Sequence, residues 1–411
     1  MAEDRVELPT DLEGIRAAAA RIAGQVVRTP CDPAPAFADE VPGALWFKFE
    51  NRQRTGSFKD RGAANKLLQL GEEERRRGIV TASAGNHAQA VAYHATALGI
   101  PATVVMPTGT PLIKVSKTRR YGARVVQTGV TLTESLDEAR RLEEVEGRVM
   151  VHPFDDPRII EGQGTVALEL IEQVPDLTQV IVPIGGGGLI SGIAIALKAL
   201  RPDVRVVGVE ATAAPSAHAS LRAGHVVKIE SAETIADGIA VKRIGDLTFP
   251  VIRALVDEVV LVDEESIASA ILKLLERERT VVEGAGATPL AALLAGAVRC
   301  GPADVTVALL CGGNIDVNMV SRIIDRGLVA DGRIARLMVR VRDRPGALAG
   351  LTRIVAEAGA NVLEIAHRRA FADISVGDVG IVMHLETRGR DHVDEIIQRL
   401  EACGHTVVET A

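Results

Sequence analysis

The chain has 411 residues, of which 47% are hydrophobic and 2% aromatic, and its formal net charge at pH 7 is −7. This length predicts two or three domains, and the apolar fraction is ample for a buried core. The acidic balance and the scarcity of aromatic residues argue against a nucleic-acid surface, which needs clustered Lys and Arg.

The cysteines and the uncharged segments bear on the compartment. The four cysteines lie far apart without a CxxC pair, which excludes a disulfide framework or zinc spacing and is typical of a reducing compartment. The acidic start of the chain lacks the order of a signal peptide. Residues 178–197 carry no charge, but Pro183 and the following glycines interrupt them, so we interpret this segment as strand, loop and buried helix rather than a membrane span. We therefore expect a cytoplasmic protein.

Short apolar runs alternate with helical patterns through most of the chain. Ile79–Ser83 precedes a helical pattern at Ala88–Leu98, and Ala102–Met106 follows as the next strand. Their continuous apolar character predicts an α/β fold with a mostly parallel sheet covered by helices, in which ligands bind at the carboxyl ends of the strands. Further runs of this kind are Val180–Ile184, Arg205–Val209, Glu258–Val262 and Val305–Leu310.

The pattern changes near residue 327. A half-buried strand at 337–341 is followed by a helical pattern, two strands, a second helical pattern and a last strand at 405–409. This βαββαβ order is the ferredoxin-like arrangement. We expect a domain over 1–326 that contains a smaller inserted subdomain at about 55–150, a linker at 327–334 and a separate domain at 335–411.

The first chemical motif is Thr55-Gly56-Ser57-Phe58-Lys59-Asp60-Arg61-Gly62. Lys59 lies at the start of a helical pattern, where the helix dipole favours an acidic residue over a lysine. The dipole and a dry pocket would both lower the pKa of the amine, as a lysine that forms a Schiff base requires. An isolated lysine is more often an ordinary solvated side chain.

The second motif is Ser83-Ala84-Gly85-Asn86-His87, directly after a strand and opening a helix. Its backbone N–H groups are suited to a substrate carboxylate. The amide of Asn86 can donate a hydrogen bond to a phenolate oxygen. The alternative is that Ser83 and Asn86 only cap the helix.

The third motif, Gly185-Gly186-Gly187-Gly188-Leu189, also joins a strand to a helix. Consecutive glycines allow several N–H groups to point at one phosphate, with the helix dipole behind them. The spacing fits neither a dinucleotide-binding motif nor a P-loop.

The fourth motif, Cys311-Gly312-Gly313-Asn314, follows another strand. Cys311 is either an inert core thiol, which is the commoner fate of a buried cysteine, or a residue that faces a ligand.

In this order, the four motifs resemble the fold-type II pyridoxal-phosphate enzymes, and among these the threonine dehydratases (threonine ammonia-lyases). The resemblance extends to about Arg326 and includes residues 234–243 and 283–287. It implies pyridoxal 5′-phosphate as cofactor and two open, mostly parallel α/β subdomains. It also implies β-elimination of L-threonine to 2-oxobutanoate and ammonia, and of L-serine to pyruvate.

The same resemblance implies roles for single residues. Lys59 carries the cofactor and acts as general base, Phe58 packs against the ring, and Asn86 holds the 3′-oxygen. Cys311 lies beside the pyridine nitrogen, where a thiol without charge favours elimination over transamination. The phosphate-binding residues are Gly185, Gly186, Gly187, Gly188 and Leu189. The residues that border the substrate carboxylate are Ser83, Ala84, Gly85 and His87, and further pocket candidates are Glu283 and Gly238.

Several departures separate the chain from related activities. Ala84 stands where serine racemases have a serine that transfers a proton, which disfavours racemisation. Racemase-like relatives bind a cation near Glu210, but Ser216 stands where a second carboxylate is expected, so we assign no metal-binding residues and leave a cation near Glu210 open. Threonine synthases share residues 57–62, but no basic cluster for a second phosphate is present. A β-replacement enzyme and a catalytically inactive amino-acid-binding regulator remain as alternatives.

The C-terminal segment resembles an ACT domain from about Ala335. Such domains pair side by side and often bind an amino acid, for which the candidate effector site is Arg344, Pro345, Gly346 and Asn361. Isoleucine and valine are candidate effectors because 2-oxobutanoate feeds isoleucine biosynthesis. The alternative is that the domain only joins subunits. We expect a homodimer or homotetramer with a small amino acid as substrate, and neither a nucleic-acid nor a membrane partner.

Overall fold

The computed structural model describes residues 7–368 and 377–409, and the chain divides into two units after Ile315. The strands, in chain order, are β1 (Cys31–Pro33), β2 (Ala44–Lys48), β3 (Ile79–Ala82), β4 (Ala102–Met106), β5 (Arg124–Gln127), β6 (Val149–Met150), β7 (Gln179–Pro183), β8 (Arg205–Ala211), β9 (Glu258–Val262), β10 (Val305–Leu309), β11 (Ile334–Arg342), β12 (Asn361–Arg368), β13 (Asp378–Glu386) and β14 (Thr406–Glu409).

The helices, in chain order, are α1 (Leu12–Ile22), α2 (Lys59–Leu68), α3 (Glu72–Arg77), α4 (Asn86–Ala97), α5 (Leu112–Arg120), α6 (Leu132–Glu146), α7 (Pro157–Gln173), α8 (Gly188–Leu200), α9 (Ser216–Ala223), α10 (Thr248–Leu255), α11 (Glu264–Arg277), α12 (Gly284–Leu294), α13 (Val317–Ala330), α14 (Ala347–Glu357) and α15 (Arg390–Ala402). Among the described residues, no helix is long and apolar enough to cross a bilayer.

The first unit is built on two sheets. The larger has the strand order β1-β2-β10-β7-β8-β9 and is parallel except for β1. The smaller has the order β5-β4-β3-β6 and is parallel throughout. Every residue of β3, β4 and β7 is buried, as expected for parallel strands covered on both faces. The predicted α/β fold is confirmed.

The topology gathers the motifs at one place. Strands β2, β10 and β7 are neighbours in the larger sheet, and the loops that carry Lys59, Cys311 and Gly185 follow them in turn. Since parallel strands point the same way, the three loops emerge at the same edge of the sheet. The Asn86 loop follows β3 of the smaller sheet.

A buried ionic network holds α2 in place beneath that edge. The guanidinium of Arg61 donates to both oxygens of Glu50 at 2.7 and 2.8 Å and to Glu169 at 2.6 and 2.9 Å. The amine of Lys48 joins the same network through Glu169, at 2.5 Å. Arg61 and Glu50 are at most 1% exposed. The network therefore ties α2 to β2 and α7, with only Glu169 of these four side chains partly exposed, at 14%.

The second unit contains a four-stranded antiparallel sheet in the order β12-β13-β11-β14, with α14 and α15 completing the βαββαβ order. The ferredoxin-like prediction is confirmed. Buried and partly exposed residues alternate along β11, as the sequence pattern predicts. Helix α13 precedes this sheet and continues to Ala330, so the first half of the expected linker at 327–334 is helical.

Candidate active site

Lys59 is the first residue of α2, as predicted. Its amine donates a hydrogen bond of 2.7 Å to the carbonyl oxygen of Pro153 and lies 4.9 Å from the centre of the Phe58 ring. Burial lowers the pKa of Lys59 to about 8, against the opposing effect of the nearby Cys311 and Glu283. A substantial fraction of the amine is therefore neutral near physiological pH.

The loop before Lys59 pairs with the Cys311 loop. The N–H of Phe58 donates to the carbonyl of Cys311 at 3.0 Å, and the N–H of Gly313 donates to the carbonyl of Gly56 at 2.9 Å. Cys311 is 2% exposed, and burial raises the pKa of its thiol well above the ordinary value. The structure therefore places a neutral thiol close to the lysine.

Asn86 and Glu283 meet directly. The amide nitrogen of Asn86 donates to Oε1 of Glu283 at 2.6 Å, and its amide oxygen accepts from the side chain of Asn314 at 2.8 Å. Burial, followed by the charge of Asp237, raises the pKa of Glu283 to about 7. A Cβ on Gly312 would lie 2.3 Å from Oε1 of Glu283, so only glycine leaves room for this pair.

The Ser83–His87 loop opens α4 without any side-chain cap, so the interpretation of Ser83 and Asn86 as capping residues is wrong. Instead, Ser83 accepts a hydrogen bond from the N–H of Gly85 at 3.2 Å. One ring nitrogen of His87 bonds the carbonyl of Val151 at 3.0 Å. Burial, with the nearby charge of Lys59, lowers the pKa of His87 to about 3. The imidazole is therefore neutral at physiological pH.

The glycine loop is closely covered on its inner side. A Cβ on Gly186 would lie 2.1 Å from the Phe154 ring, and one on Gly187, which has φ +93°, would lie 2.7 Å from Oγ1 of Thr248. Within the part of the chain that the structure describes, the N–H groups from Gly185 to Leu189 meet no protein acceptor. These donors at the start of α8 are therefore available to an anion.

The crossover segment 151–156 joins the smaller sheet to α7. It belongs to none of the four sequence motifs. Pro153 accepts the bond from Lys59, and Phe154 covers the glycine loop. Asp155 accepts N–H bonds of 3.0 and 2.9 Å from residues 246 and 247, before α10. The only local signal was Asp156-Pro157, which predicts a helix start and not a site.

Gly238 lies against Glu283, because a Cβ there would be 3.1 Å from Oε1 of the glutamate. The neighbouring Asp237 forms an ion pair of 2.6 Å with Lys114 at the start of α5. This pair connects the smaller subdomain to the larger one beside the Asn86–Glu283 contact. No sequence motif predicts it, since the two residues are far apart in the chain.

These groups are complementary to pyridoxal 5′-phosphate. Unpaired N–H groups at a helix start suit the phosphate, and an amine of lowered pKa suits the aldehyde carbon. The amide of Asn86 offers a donor suited to a phenolic oxygen, and the buried thiol of Cys311 would bring no charge to a pyridine nitrogen. The residues present therefore fit the group.

Glu210 is engaged within the protein. Its carboxylate accepts N–H bonds of 2.8 Å from Ala217 and from His218 in the first turn of α9. Ser216 lies 3.5 Å from the same carboxylate. No group of three or more His, Cys, Asp or Glu side chains suited to a metal occurs among the described residues.

A cavity of about 380 Å³ lies in the C-terminal unit. Arg344, Pro345 and Gly346 line it, together with His367 and apolar residues of the sheet. Asn361 instead lies at the start of β12, where its amide donates to Glu386 at 3.2 Å.

The comparisons with known proteins agree with these features. The chain is 50% identical over 387 residues to the L-threonine ammonia-lyase of Geobacter sulfurreducens, covering 94% of this chain and 96% of that protein. It is 49% identical over 400 residues to the L-threonine ammonia-lyase of Thermotoga maritima, covering 96% and 98%. The solved structure of a threonine deaminase from T.th. is 43% identical, with a TM-score of 0.71, and covers 75% of this chain and 99% of that one.

Family assignment follows from these similarities. Residues 22–312 match the family described as pyridoxal-phosphate dependent enzyme, and residues 335–405 match the ACT domain. The chain belongs to the pyridoxal-phosphate dependent enzymes, uses pyridoxal 5′-phosphate as its cofactor and carries an ACT domain.

Proposed function

We propose that this enzyme is an L-threonine ammonia-lyase, which converts L-threonine to 2-oxobutanoate and ammonia, and L-serine to pyruvate and ammonia. The observation that carries the proposal is the meeting of four loops around Lys59. An amine of lowered pKa lies there with a neutral buried thiol, a fixed amide and the free N–H groups of a helix start. Near-full-length similarity to two L-threonine ammonia-lyases supports the same activity.

In this proposal the residues of the described loops would hold the cofactor. The N–H groups from Gly185 to Leu189 would hold its phosphate, and Lys59 would form the covalent link. Asn86 would donate to the phenolic oxygen, Phe58 would pack against the ring, and Cys311 would lie beside the pyridine nitrogen. When bound, the cofactor withdraws electrons from the α-carbon of the substrate.

The protein groups divide the remaining work. The N–H groups of the Ser83–His87 loop bind the substrate carboxylate. The amine of Lys59 removes the proton from the α-carbon, since its pKa of about 8 leaves a useful neutral fraction. The bond between the β-carbon and its oxygen then breaks, and the hydroxyl leaves as water after it gains a proton. The released product takes up one water to give the 2-oxo acid and ammonia.

Two residues restrict the outcome. The thiol of Cys311, whose pKa burial raises, carries no charge to hold a proton on the pyridine nitrogen, which favours loss of the β-substituent over transamination. Ala84 has no group that transfers a proton on the far side of the α-carbon. With alanine at position 84, elimination is favoured over racemisation.

The C-terminal cavity supports regulation by an amino acid. Arg344 offers a cation for a carboxylate, and the lining residues Val341, Leu348 and Ile381 suit a branched apolar side chain. We propose isoleucine or valine as the effector that binds in this cavity. We propose a homodimer or homotetramer as the assembly. The cytoplasm is the proposed compartment, supported by four free cysteines.

Product analysis tests the proposed reaction. With L-threonine as the sole substrate, the enzyme is expected to release 2-oxobutanoate and ammonia in equal amounts, and pyruvate and ammonia from L-serine. Turnover that requires an added nucleophile would indicate a β-replacement enzyme, and turnover only with a phosphorylated substrate would indicate a synthase. Rapid formation of D-serine on a chiral column would contradict the role of Ala84.

A further inference from the structure

Asn314 contacts three separate loops of the site, although neither its motif nor the proposed reaction gives it a role. Its side-chain nitrogen donates to the carbonyl of Thr55 and to the amide oxygen of Asn86, both at 2.8 Å. Its backbone N–H donates to Oε2 of Glu283 at 3.2 Å. The amide packs against Gly56, where a Cβ would lie 3.1 Å from its nitrogen. Asn314 therefore fastens the Lys59, Asn86 and Glu283 loops to one another.

The partners of this chain of hydrogen bonds fix the direction of both amides. A backbone carbonyl only accepts, so the NH₂ group of Asn314 must face Thr55. The second hydrogen of the same NH₂ group goes to Asn86, which must present its oxygen there. The NH₂ group of Asn86 is then turned to the carboxyl oxygen of Glu283, which accepts at 2.6 Å.

One hydrogen of the NH₂ group of Asn86 is left for a ligand in this arrangement. An amide NH₂ group has two hydrogens, and the nitrogen of Asn86 has Glu283 as its single acceptor among residues 7–368 and 377–409. The other hydrogen is available to a ligand. If the amide were reversed, its oxygen would take that place and would repel a phenolate.

We infer that Asn314 is a positioning residue, which fixes the amide of Asn86 so that its NH₂ group faces the phenolic oxygen of the bound cofactor. This inference rests on the proposed placement of the cofactor beside Asn86. The direction of the Asn86 amide is set by Asn314, which the Thr55 carbonyl orients in turn. Glu283 accepts from the NH₂ group of Asn86.

The substitution Asn314→Asp keeps the shape of the side chain and the backbone bond to Glu283, and it removes the two side-chain donors. The new carboxylate only accepts, so it no longer bonds the Thr55 carbonyl or the oxygen of Asn86. The amide of Asn86 then gains a hydrogen bond when it turns its NH₂ group toward the carboxylate at residue 314. The phenolic oxygen loses its donor and holds its proton more tightly.

The absorbance spectrum of the bound cofactor reports this change without substrate. In Asn314→Asp, the ratio of cofactor with a protonated phenolic oxygen to cofactor with an ionised one should rise about tenfold. Asn86→Ala should raise the ratio at least as much. Binding of free pyridoxal 5′-phosphate to the cofactor-free protein, measured by titration, should weaken in both variants.

Asn51→Asp is the matched control. Asn51 donates to Oγ1 of Thr280 and to the carbonyl of Val281, both at 3.0 Å, and a Cβ on Gly313 would lie 3.3 Å from its Cβ. Asn51→Asp makes the same chemical change in the same region, but the side-chain bonds of Asn51 go to residues other than Asn86. Its spectrum should match that of the unsubstituted enzyme.

Each outcome decides the inference. A normal spectrum in Asn314→Asp, with a changed one in Asn86→Ala, would overturn the positioning role. A normal spectrum in Asn86→Ala would overturn the placement of the cofactor and the inference together. Neither result depends on turnover, so both are distinct from failure of the proposed lyase reaction. If Asn314→Asp does not fold, Asn314→Ala, which also removes the side-chain donors, carries the same expectation.

Discussion

The amine of Lys59 donates a hydrogen bond of 2.7 Å to the carbonyl oxygen of Pro153, which lies 94 positions later in the chain. This bond joins the start of α2 to the crossover segment 151–156, whose Phe154 covers the glycine loop. The position of the amine therefore depends on a segment that carries no catalytic motif. Both subdomains contribute to the surroundings of the lysine.

The close approach of Phe154 to the glycine loop predicts the effect of Gly186→Ala. A Cβ on Gly186 would lie 2.1 Å from the ring, so the ring or the loop must shift, at a cost of about 1–3 kcal/mol in stability. We expect the dissociation constant for pyridoxal 5′-phosphate to rise at least about tenfold. Titration of the cofactor-free protein measures this.

Gly109→Ala is the control for that substitution. A Cβ on Gly109 would meet nothing within 4 Å, so cofactor binding should be unchanged. Equal affinity in the Gly186 and Gly109 variants would show that the loop tolerates a side chain, contrary to the proposed phosphate site.

Cys311→Asp tests the proposal that a neutral thiol lies beside the pyridine nitrogen. An aspartate there would favour a protonated nitrogen and would be buried close to Glu283. Burial, followed by the charge of Glu283, already raises the pKa of the thiol. We expect ammonia release from L-threonine to fall at least about tenfold. Cys403→Asp makes the same change at an exposed cysteine and should leave release unchanged. Undiminished release in Cys311→Asp would count against this role.

The ionic network under α2 predicts a large effect of Arg61→Ala on stability. Removing the guanidinium leaves Glu50, which is 0% exposed, without its bidentate partner. Breaking a buried pair in this way costs about 3–5 kcal/mol. Arg16→Ala removes an exposed pair with Glu13 and should cost less than about 1 kcal/mol. Denaturant unfolding compares the two, and similar costs would contradict the structural role of the network.

We expect the buried carboxyl of Glu210 to make the stability of the fold depend on pH. Burial raises the pKa of its carboxyl from 4.5 to about 7, although N–H bonds from Ala217 and His218 oppose the shift. The folded chain therefore binds this proton more tightly than the unfolded chain. The resulting stability is complete below pH 4.5 and is lost as the pH rises through about 7.

Glu210→Gln removes that dependence. The free energy of unfolding of the unsubstituted enzyme, minus that of the variant, should fall by about 2–3 kcal/mol between about pH 5 and about pH 8. Urea unfolding at the two pH values measures the difference. A difference that is independent of pH would contradict the raised pKa.

The sequence predicted the parts of the fold that depend on local pattern. Continuous apolar runs such as Ala102–Met106 became buried parallel strands, and alternation along 337–341 became β11. The expected linker at 327–334 begins inside α13, because the helix continues through Gly327 to Ala330.

The candidate site was predictable only where a loop carries its chemistry in consecutive residues. Lys59, Asn86 and the glycine loop belong to such motifs. The contacts of Pro153 with Lys59, of Asn314 with Asn86 and of Lys114 with Asp237 do not. They join loops that are distant in the chain, and a hydrogen bond between two loops leaves no periodic signal in either.

The release of 2-oxo acid from L-threonine and L-serine by the holoenzyme and by Lys59→Ala tests the central claim most directly. We predict that the holoenzyme forms 2-oxobutanoate and pyruvate and that both activities are lost in the variant, since it has neither the covalent link nor the base. Folding of the variant is checked by its unfolding transition. Absence of 2-oxo acid from the holoenzyme, or undiminished release by Lys59→Ala, would contradict the proposed reaction.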